Sequence, residues 1–282
     1  IDKEHLDFYK SIEKLKKNFI NFIEKTPSFG KAFICLDDNI NKEVIKKIKN
    51  FNYNTYGINK FSNFNILNIS QKENYSSFDI KINLPSSKIN YIKNIKLPLI
   101  GLHNIRNSTA AAAVAFSVGI PNKIIKKGLE NFSGVQRRFT KIFSYNNVSF
   151  YDDYAHHPTE ISEVLNGVRE VHKNKEIICI FQPHRISRVK NLHDEFSKSF
   201  KKADTIILCP IYKAGESLNL GFSYNSFAKK IIKNSKVKLI LIQNNLDLIK
   251  YVKQNIYGDK IVIGMGAGSI SNWIRELPKN IK

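Results

Sequence analysis

Arginine is scarce in this chain. Only seven of its 45 basic residues are Arg, against 24 Asp and Glu, so the net charge of +21 is carried almost entirely by lysine. Scattered lysines among Asn and Ile describe a solvated surface rather than a nucleic-acid footprint, which would gather Arg and Lys on one face. A nucleic-acid partner is therefore excluded. Cysteine is limited to Cys35, Cys179 and Cys209, each alone in an apolar run without the paired spacing of a metal site or disulfide framework. They read as core thiols in a reducing cytoplasm. Long hydrophobic runs are missing too: the longest, residues 110–116, is far short of the roughly 18 residues that span a bilayer, so no membrane segment is expected. The first residues, Ile-Asp-Lys-Glu-His, carry neither an initiator Met nor a basic leader before an apolar stretch.

What is present is a globular composition of 282 residues, long enough for two domains. Residues 6–25 place Leu6, Tyr9, Ile12, Leu15, Phe19, Phe22 and Ile23 at helical spacing, predicting one amphipathic helix. Residues 63–100 alternate apolar and polar in short β runs, and Ala-rich 104–118 is helical; Pro121 opens a further helix ending near Gly134. From about residue 141 strands and helices alternate regularly, with strands near 148–152, 176–181, 205–209, 237–242 and 260–264 and one helix expected over 187–202. That pattern predicts an α/β fold with a doubly wound, mostly parallel sheet. The domains are expected at 1–135 and 136–282, meeting at the basic turn 135–139.

Two clusters of titratable groups stand where a strand gives way to a helix, the ligand-binding position of open α/β sheets. Residues 151–160 read Tyr-Asp-Asp-Tyr-Ala-His-His-Pro-Thr-Glu, and 182–188 read Gln-Pro-His-Arg-Ile-Ser-Arg. Five of the seven arginines, 106, 137, 138, 185 and 188, lie in or beside these clusters, the basic turn 135–139 or the segment 101–107, and Arg grips phosphate and carboxylate bidentately. Taken singly each feature has a plain reading: a polar turn for Asp152 and Asp153, a solvated pair for Arg137 and Arg138, surface positions for His172 and His193. Gly-Met-Gly-Ala-Gly at 264–268 lacks the third glycine of a dinucleotide fingerprint, with Ser269 in its place, and is a tight turn. The only Gly-Lys pair, Gly30-Lys31, lacks the first Gly and the Ser or Thr of a P-loop.

In their joint order these segments resemble the Mur ligase family, and within it the branch that joins L-alanine to UDP-N-acetylmuramate. The resemblance implies the remainder of a central ATPase domain followed by a Rossmann-like C-terminal domain. It implies ATP and Mg2+ as cofactors, with UDP-N-acetylmuramate and L-alanine as partners. The opening segment is similar to the one whose His binds magnesium, which falls on His5. Gly-Leu-His-Asn-Ile-Arg-Asn at 101–107 resembles the nucleotide segment, carrying His103, Asn104 and Asn107, with Asp153 as a carboxylate near the nucleotide. Arg137 and Arg138 match the basic turn at the domain junction. His156 and His184 are catalytic candidates beside them. Tyr154, His156, His157, His184, Arg185 and Arg188 fall where the substrate is contacted, and residues 211–216 look like the Tyr-x-Ala-Gly-Glu turn that follows. Leu102, Gln136 and Ala155 depart from the family pattern. The family's uracil-nucleotide domain and P-loop precede the equivalent of His5, so the chain is expected to be the carboxy-terminal three-fifths of such an enzyme, inactive alone. Two other readings fit the same residues: a muropeptide-recycling ligase of this family, told apart by its use of a tripeptide, and a non-catalytic nucleotide- or peptide-binding remnant.

Overall fold

A computed structural model describes residues 1–49, 52–85, 87–217 and 222–281, and the chain divides into two compact units, 1–132 and 133–282. The first unit begins with α1 (Leu6–Tyr9) and α2 (Ile12–Glu24). The single helix expected over 6–25 is thus two. Lys10 takes a left-handed φ of 67°, and the Ser11 side chain accepts the Lys14 N–H, so the chain restarts with an N-cap rather than continuing. Next come β1 (Ala32–Cys35), α3 (Asn39–Ile45), β2 (Tyr53–Gly57), β3 (Phe64–Gln71), β4 (Ser76–Ile82), β5 (Asn90–Leu97), α4 (Leu102–Ser117) and α5 (Asn122–Glu130). The five strands form one sheet in chain order, parallel from β1 to β3 and antiparallel from β3 to β5. Alternating Ser, Phe, Ile and Ile along β4 put Phe78, Ile80 and Ile82 on the core face, where Ile105, Ala112 and Ala113 of α4 cover them.

The second unit runs β6 (Thr140–Tyr145), β7 (Val148–Asp153), α6 (Pro158–Val171), β8 (Glu176–Phe181), α7 (Ile186–Asn191), α8 (His193–Lys198), β9 (Thr205–Leu208), α9 (Tyr224–Ser235), β10 (Lys238–Leu241), α10 (Asn245–Asn255), β11 (Lys260–Met265) and α11 (Ile270–Ile281). Its sheet order is β10-β9-β8-β11-β7-β6, parallel throughout except for β6 at one edge. The near-continuous apolar strands β8 and β9 are what a sheet buried on both faces requires. One face packs Ile178, Ile180 and Val262 against Ile270, Ile274 and Leu277 of α11. On the other, Phe181 meets Phe196 and Phe200 at 5.8 and 5.1 Å. The helix expected over 187–202 breaks at Leu192 into α7 and α8. His172 and His193, read as surface residues in mid-helix, are at helix ends instead. His172 follows the last turn of α6 and is buried, while the His193 ring packs 5.4 Å from Phe227 at the start of α8. Cys179 and Cys209 are buried free thiols whose pKa is pushed up by burial, and Cys35 is half-buried. Among the described residues no helix is long and apolar enough to cross a membrane.

Candidate active site

Register decides where the chemistry of the second unit gathers. Met265 of β11 lies level with Asp153 of β7 on one side and Phe181 of β8 on the other, and Phe181 lies level with Leu208 of β9. The segments that follow these four strands therefore all leave from the carboxyl edge of the sheet. They carry Tyr154, His156 and His157; Gln182, His184, Arg185 and Arg188; Tyr212 and Glu216; and the glycine turn at 266–268.

His184 is the most constrained member. Its backbone bridges to Tyr212, the Arg185 N–H donates to the Tyr212 carbonyl, and the imidazole stacks on the Tyr212 ring at 5.5 Å and 10°. Arg188, one turn along, donates from its guanidinium to His184 Nδ1 at 3.1 Å. Burial, then the charges of Arg188, His156 and Arg185, push the His184 pKa down to about 4. Arg185 precedes α7 with φ 67°, a left-handed conformation that a non-glycine residue adopts only when its surroundings impose it. Glu216 accepts from both the backbone and the hydroxyl of Ser187, tying the segment after β9 to α7. Burial alone would raise its pKa, but those hydrogen bonds and the Ile186 N–H outweigh it and lower it.

His156 and His157 occupy different roles despite adjacency. Pro158 begins α6, and His157 caps it: its Nδ1 accepts the Thr159 N–H while Glu160 reaches back to the His157 N–H, a capping box with histidine in the usual Ser or Thr position. His157 is buried in that task. The His156 ring instead stands 5.9 Å from the His184 ring, with Nδ1 2.9 Å from the Tyr154 carbonyl and 3.4 Å from Glu160 Oε2.

The basic turn is pinned to the same edge. Asp153, almost fully buried, accepts the Phe139 N–H and the Ala155 N–H, both at 2.7 Å, so the two carboxylate oxygens are each engaged by backbone. Burial nonetheless dominates and raises its pKa to about 6. Arg137, with φ 61°, donates to the Gly266 carbonyl at 2.6 Å, lies over the Tyr154 ring at 4.6 Å and stands 3.9 Å from buried Asp152. Asp152 also receives Ser271 Oγ at 2.6 Å and Arg275 at 3.3 Å. Arg138 is the more exposed of the pair, 3.9 Å from Glu160. The glycine turn is tight, as its sequence suggests. Gly266 has φ 149°, and a Cβ there would come within 2.7 Å of the Gln182 carbonyl; at Gly268 it would strike the Tyr212 ring. Gln182 closes the turn by accepting the Ile270 N–H.

In the first unit, His103 and Asn104 open α4, with Asn107 exposed one turn beyond Asn104 on the same helical face. The Asn104 side chain donates to the Ile100 carbonyl, leaving its amide oxygen as the acceptor it can still offer. Arg106 points to a different use: it pairs with Asp37. His5 is exposed at the start of α1, and among the described residues no group of three His, Cys, Asp or Glu could hold a metal ion. Magnesium commonly keeps several waters and substrate phosphates beside one or two protein ligands, so His5 would be at most one ligand of such a site. Sequence reading missed Asp37 and Glu160 as organising groups, and it named Gln182, Tyr212 and Glu216 only as parts of motifs. Except for Glu160, whose bonds to the His156 and His157 N–H groups form a local capping pattern, their partners are remote in sequence.

Residues 1–115 match the Mur ligase middle domain, and residues 137–268 match the Mur ligase, glutamate ligase domain. The UDP-N-acetylmuramate--L-alanine ligase of Pelagibacter ubique is 62% identical over 281 residues, covering 100% of this chain and 61% of that protein. Among solved structures, the UDP-N-acetylmuramate-alanine ligase of Thermotoga maritima shares the fold with a TM-score of 0.73 at 23% identity, covering 98% of this chain and 57% of that one. The MurF ligase of Thermotoga maritima, solved in complex with ADP, superposes with a TM-score of 0.72 at 16% identity, covering 99% and 61%. The chain thus spans about three-fifths of the length of the curated relatives it matches.

Proposed function

The chain belongs to the Mur ligase family, and from that premise we propose that it serves an ATP-dependent ligase joining L-alanine to UDP-N-acetylmuramate for peptidoglycan synthesis, in the cytoplasm. The observation that carries this reading is the convergence of His156, His184, Arg185, Arg188 and Tyr212 at one carboxyl edge, in a chain 62% identical to a relative bearing that name.

The chemistry explains why such residues are needed. A carboxylate is a poor acyl donor. Its attack on the γ-phosphorus of ATP releases ADP and forms an acyl phosphate, whose carbonyl the alanine amine then attacks. Collapse of the tetrahedral oxyanion expels phosphate and leaves the amide. Arg185 and Arg188 supply planar cationic forks of the kind that hold an amino-acid carboxylate. Exposed Arg138 supplies positive charge toward a phosphoryl group, and Arg137 holds the turn that carries it, which makes Arg137 a positioning residue. His157 and Asp153 act similarly from within, one capping α6 and one fixing the turn at 137–139. His103, Asn104 and Asn107 are assigned to the adenine side; that a MurF ligase of the same fold was solved with ADP supports nucleotide use by such a fold. His5, exposed in the first unit, would be one protein ligand to a magnesium ion that screens the phosphate charge.

The test is an assay of ADP release and product mass with UDP-N-acetylmuramate, ATP and either L-alanine or a tripeptide, using protein that includes these 282 residues within its full coding sequence. Alanine-dependent ADP release with a product heavier by one alanyl residue is expected. Preference for the tripeptide would assign the chain to muropeptide recycling, and nucleotide binding without turnover would make it a binding protein.

A further inference from the structure

His156 and His184 differ in a way that residue type does not reveal. At His184, Nδ1 faces the Arg188 guanidinium at 3.1 Å, and a guanidinium can only donate, so this nitrogen must accept and the ring proton sits on Nε2. At His156, Nδ1 faces the Tyr154 carbonyl at 2.9 Å, and a carbonyl can only accept, so this nitrogen carries a proton and Nε2 is the ring nitrogen left to exchange one. Glu160 Oε2, 3.4 Å from the same Nδ1, is a second acceptor that favours the proton there.

The geometry points to His156 and His184 holding their ring protons on opposite nitrogens, Nδ1 at His156 and Nε2 at His184, as the proton acceptor and the oxyanion donor of the amide-forming step. The assignment of roles rests on the ligation reading; the tautomers do not. When the amine attacks the acyl phosphate, the nitrogen becomes cationic and must lose a proton, while the carbonyl oxygen becomes an oxyanion. His156 Nε2 takes the ammonium proton and becomes imidazolium. His184 Nε2–H hydrogen-bonds to the oxyanion without transferring its proton. The C–O bond to phosphate then breaks, the electron pair leaves with phosphate, and the imidazolium returns its proton to solvent.

The surroundings of His184 keep it neutral. Arg188 and Arg185 from α7 and His156 from the segment after β7 oppose a second proton, and burial opposes it most; Glu216 on the far side favours it but is outweighed. The Tyr212 ring stacked on one face holds the plane. Beside the carboxylate role proposed for it, Arg188 therefore also positions His184 through its guanidinium, and a Lys at 188 would not reproduce that planar donor.

The tautomers are read directly by long-range proton–nitrogen correlation NMR on the 282-residue chain with nitrogen-15 histidine at pH 7.5, the two rings being assigned by His156→Gln and His184→Gln. The expected spectrum has an unprotonated Nδ1 with a protonated Nε2 at His184, and the reverse at His156. The same tautomer on both rings, a protonated Nδ1 at His184, or a doubly protonated ring would overturn the proposal. Arg188→Met should raise the Nδ1–H population of His184 several-fold, a change that a merely structural Arg would not produce. In the ligation assay, His184→Gln preserves a donor near Nε2 and should lose about tenfold in kcat or less. His156→Gln cannot accept a proton and should lose on the order of a hundredfold or more. The opposite ranking refutes the roles. If the unsubstituted enzyme fails to ligate while the NMR result holds, the ligase reading falls and the tautomer lock stands.

Discussion

Arg106 Nε lies 2.8 Å from Asp37 Oδ2, joining α4 to the turn after β1 across 69 residues of sequence. The same carboxylate accepts the N–H groups of Ile58 and Asn59, beyond β2, where Gly57 at φ 141° leaves room that any Cβ would remove by approaching Asp37 Oδ1 to 2.5 Å. Burial works against the charged form of Asp37, but Arg106 and the two N–H donors hold its pKa below the ordinary value. An acid with a depressed folded pKa contributes stability that is present above its unfolded pKa and lost as pH falls through the folded one. Arg106→Met should therefore destabilise the first unit by about 1 to 3 kcal/mol at pH 7, with a smaller penalty at pH 3, measured by urea unfolding. Equal losses at both pH values would show that packing and not the ion pair is responsible.

Asp153 has the opposite sign. Its folded pKa of about 6 exceeds the ordinary 3.8, so the folded state holds the proton more tightly and stability contributed by this group falls as pH rises from about 4 to 6. That shift weighs about 3 kcal/mol against the ionised folded form above pH 6. Comparing Asp153→Asn with the unsubstituted chain isolates the term: the stability difference between them should move in favour of the Asn variant from pH 4 to pH 7. A pH-independent difference would mean the carboxylate titrates normally.

Strand and helix types along residues 141–281 are legible in the sequence because buried parallel strands such as 176–181 are continuously apolar and Pro158 marks a helix start. The break at Lys10 is not, because the apolar spacing runs straight through it and only the backbone reveals the left-handed residue. In the candidate site, side-chain types were legible and their partners were not. Nothing local says that Asp153 faces the Phe139 N–H, that His156 faces His184, or that Arg106 belongs to Asp37. Each depends on which strands lie side by side.

Gly266→Ala tests the turn after β11. With φ 149° and the Gln182 carbonyl 2.7 Å from the new Cβ, the backbone must shift and the Arg137 contact to the Gly266 carbonyl shifts with it. A loss of about 2 kcal/mol or more in the second unit is expected by chemical denaturation. A loss under about 0.5 kcal/mol would show that the turn is slack.

Arg185→Lys tests the carboxylate clamp. The charge is preserved but the planar fork is lost, so alanine kcat/KM in the ligation assay should fall about ten- to a hundredfold, the equivalent of roughly 1.5 to 3 kcal/mol, with ATP affinity nearly unchanged. Normal alanine kinetics, or a selective loss of ATP affinity, would remove Arg185 from the amino-acid side.

The acyl-phosphate route is tested most directly by isotope transfer. UDP-N-acetylmuramate carrying oxygen-18 in its lactyl carboxylate is incubated with ATP, L-alanine and the full-length protein, and the released phosphate is examined by mass spectrometry. Because the carboxylate oxygen bonded to phosphorus departs with phosphate when the amine displaces it, one oxygen-18 per phosphate is predicted, in step with amide formed. Phosphate free of label, or label in a pyrophosphate or adenylate product, would contradict it.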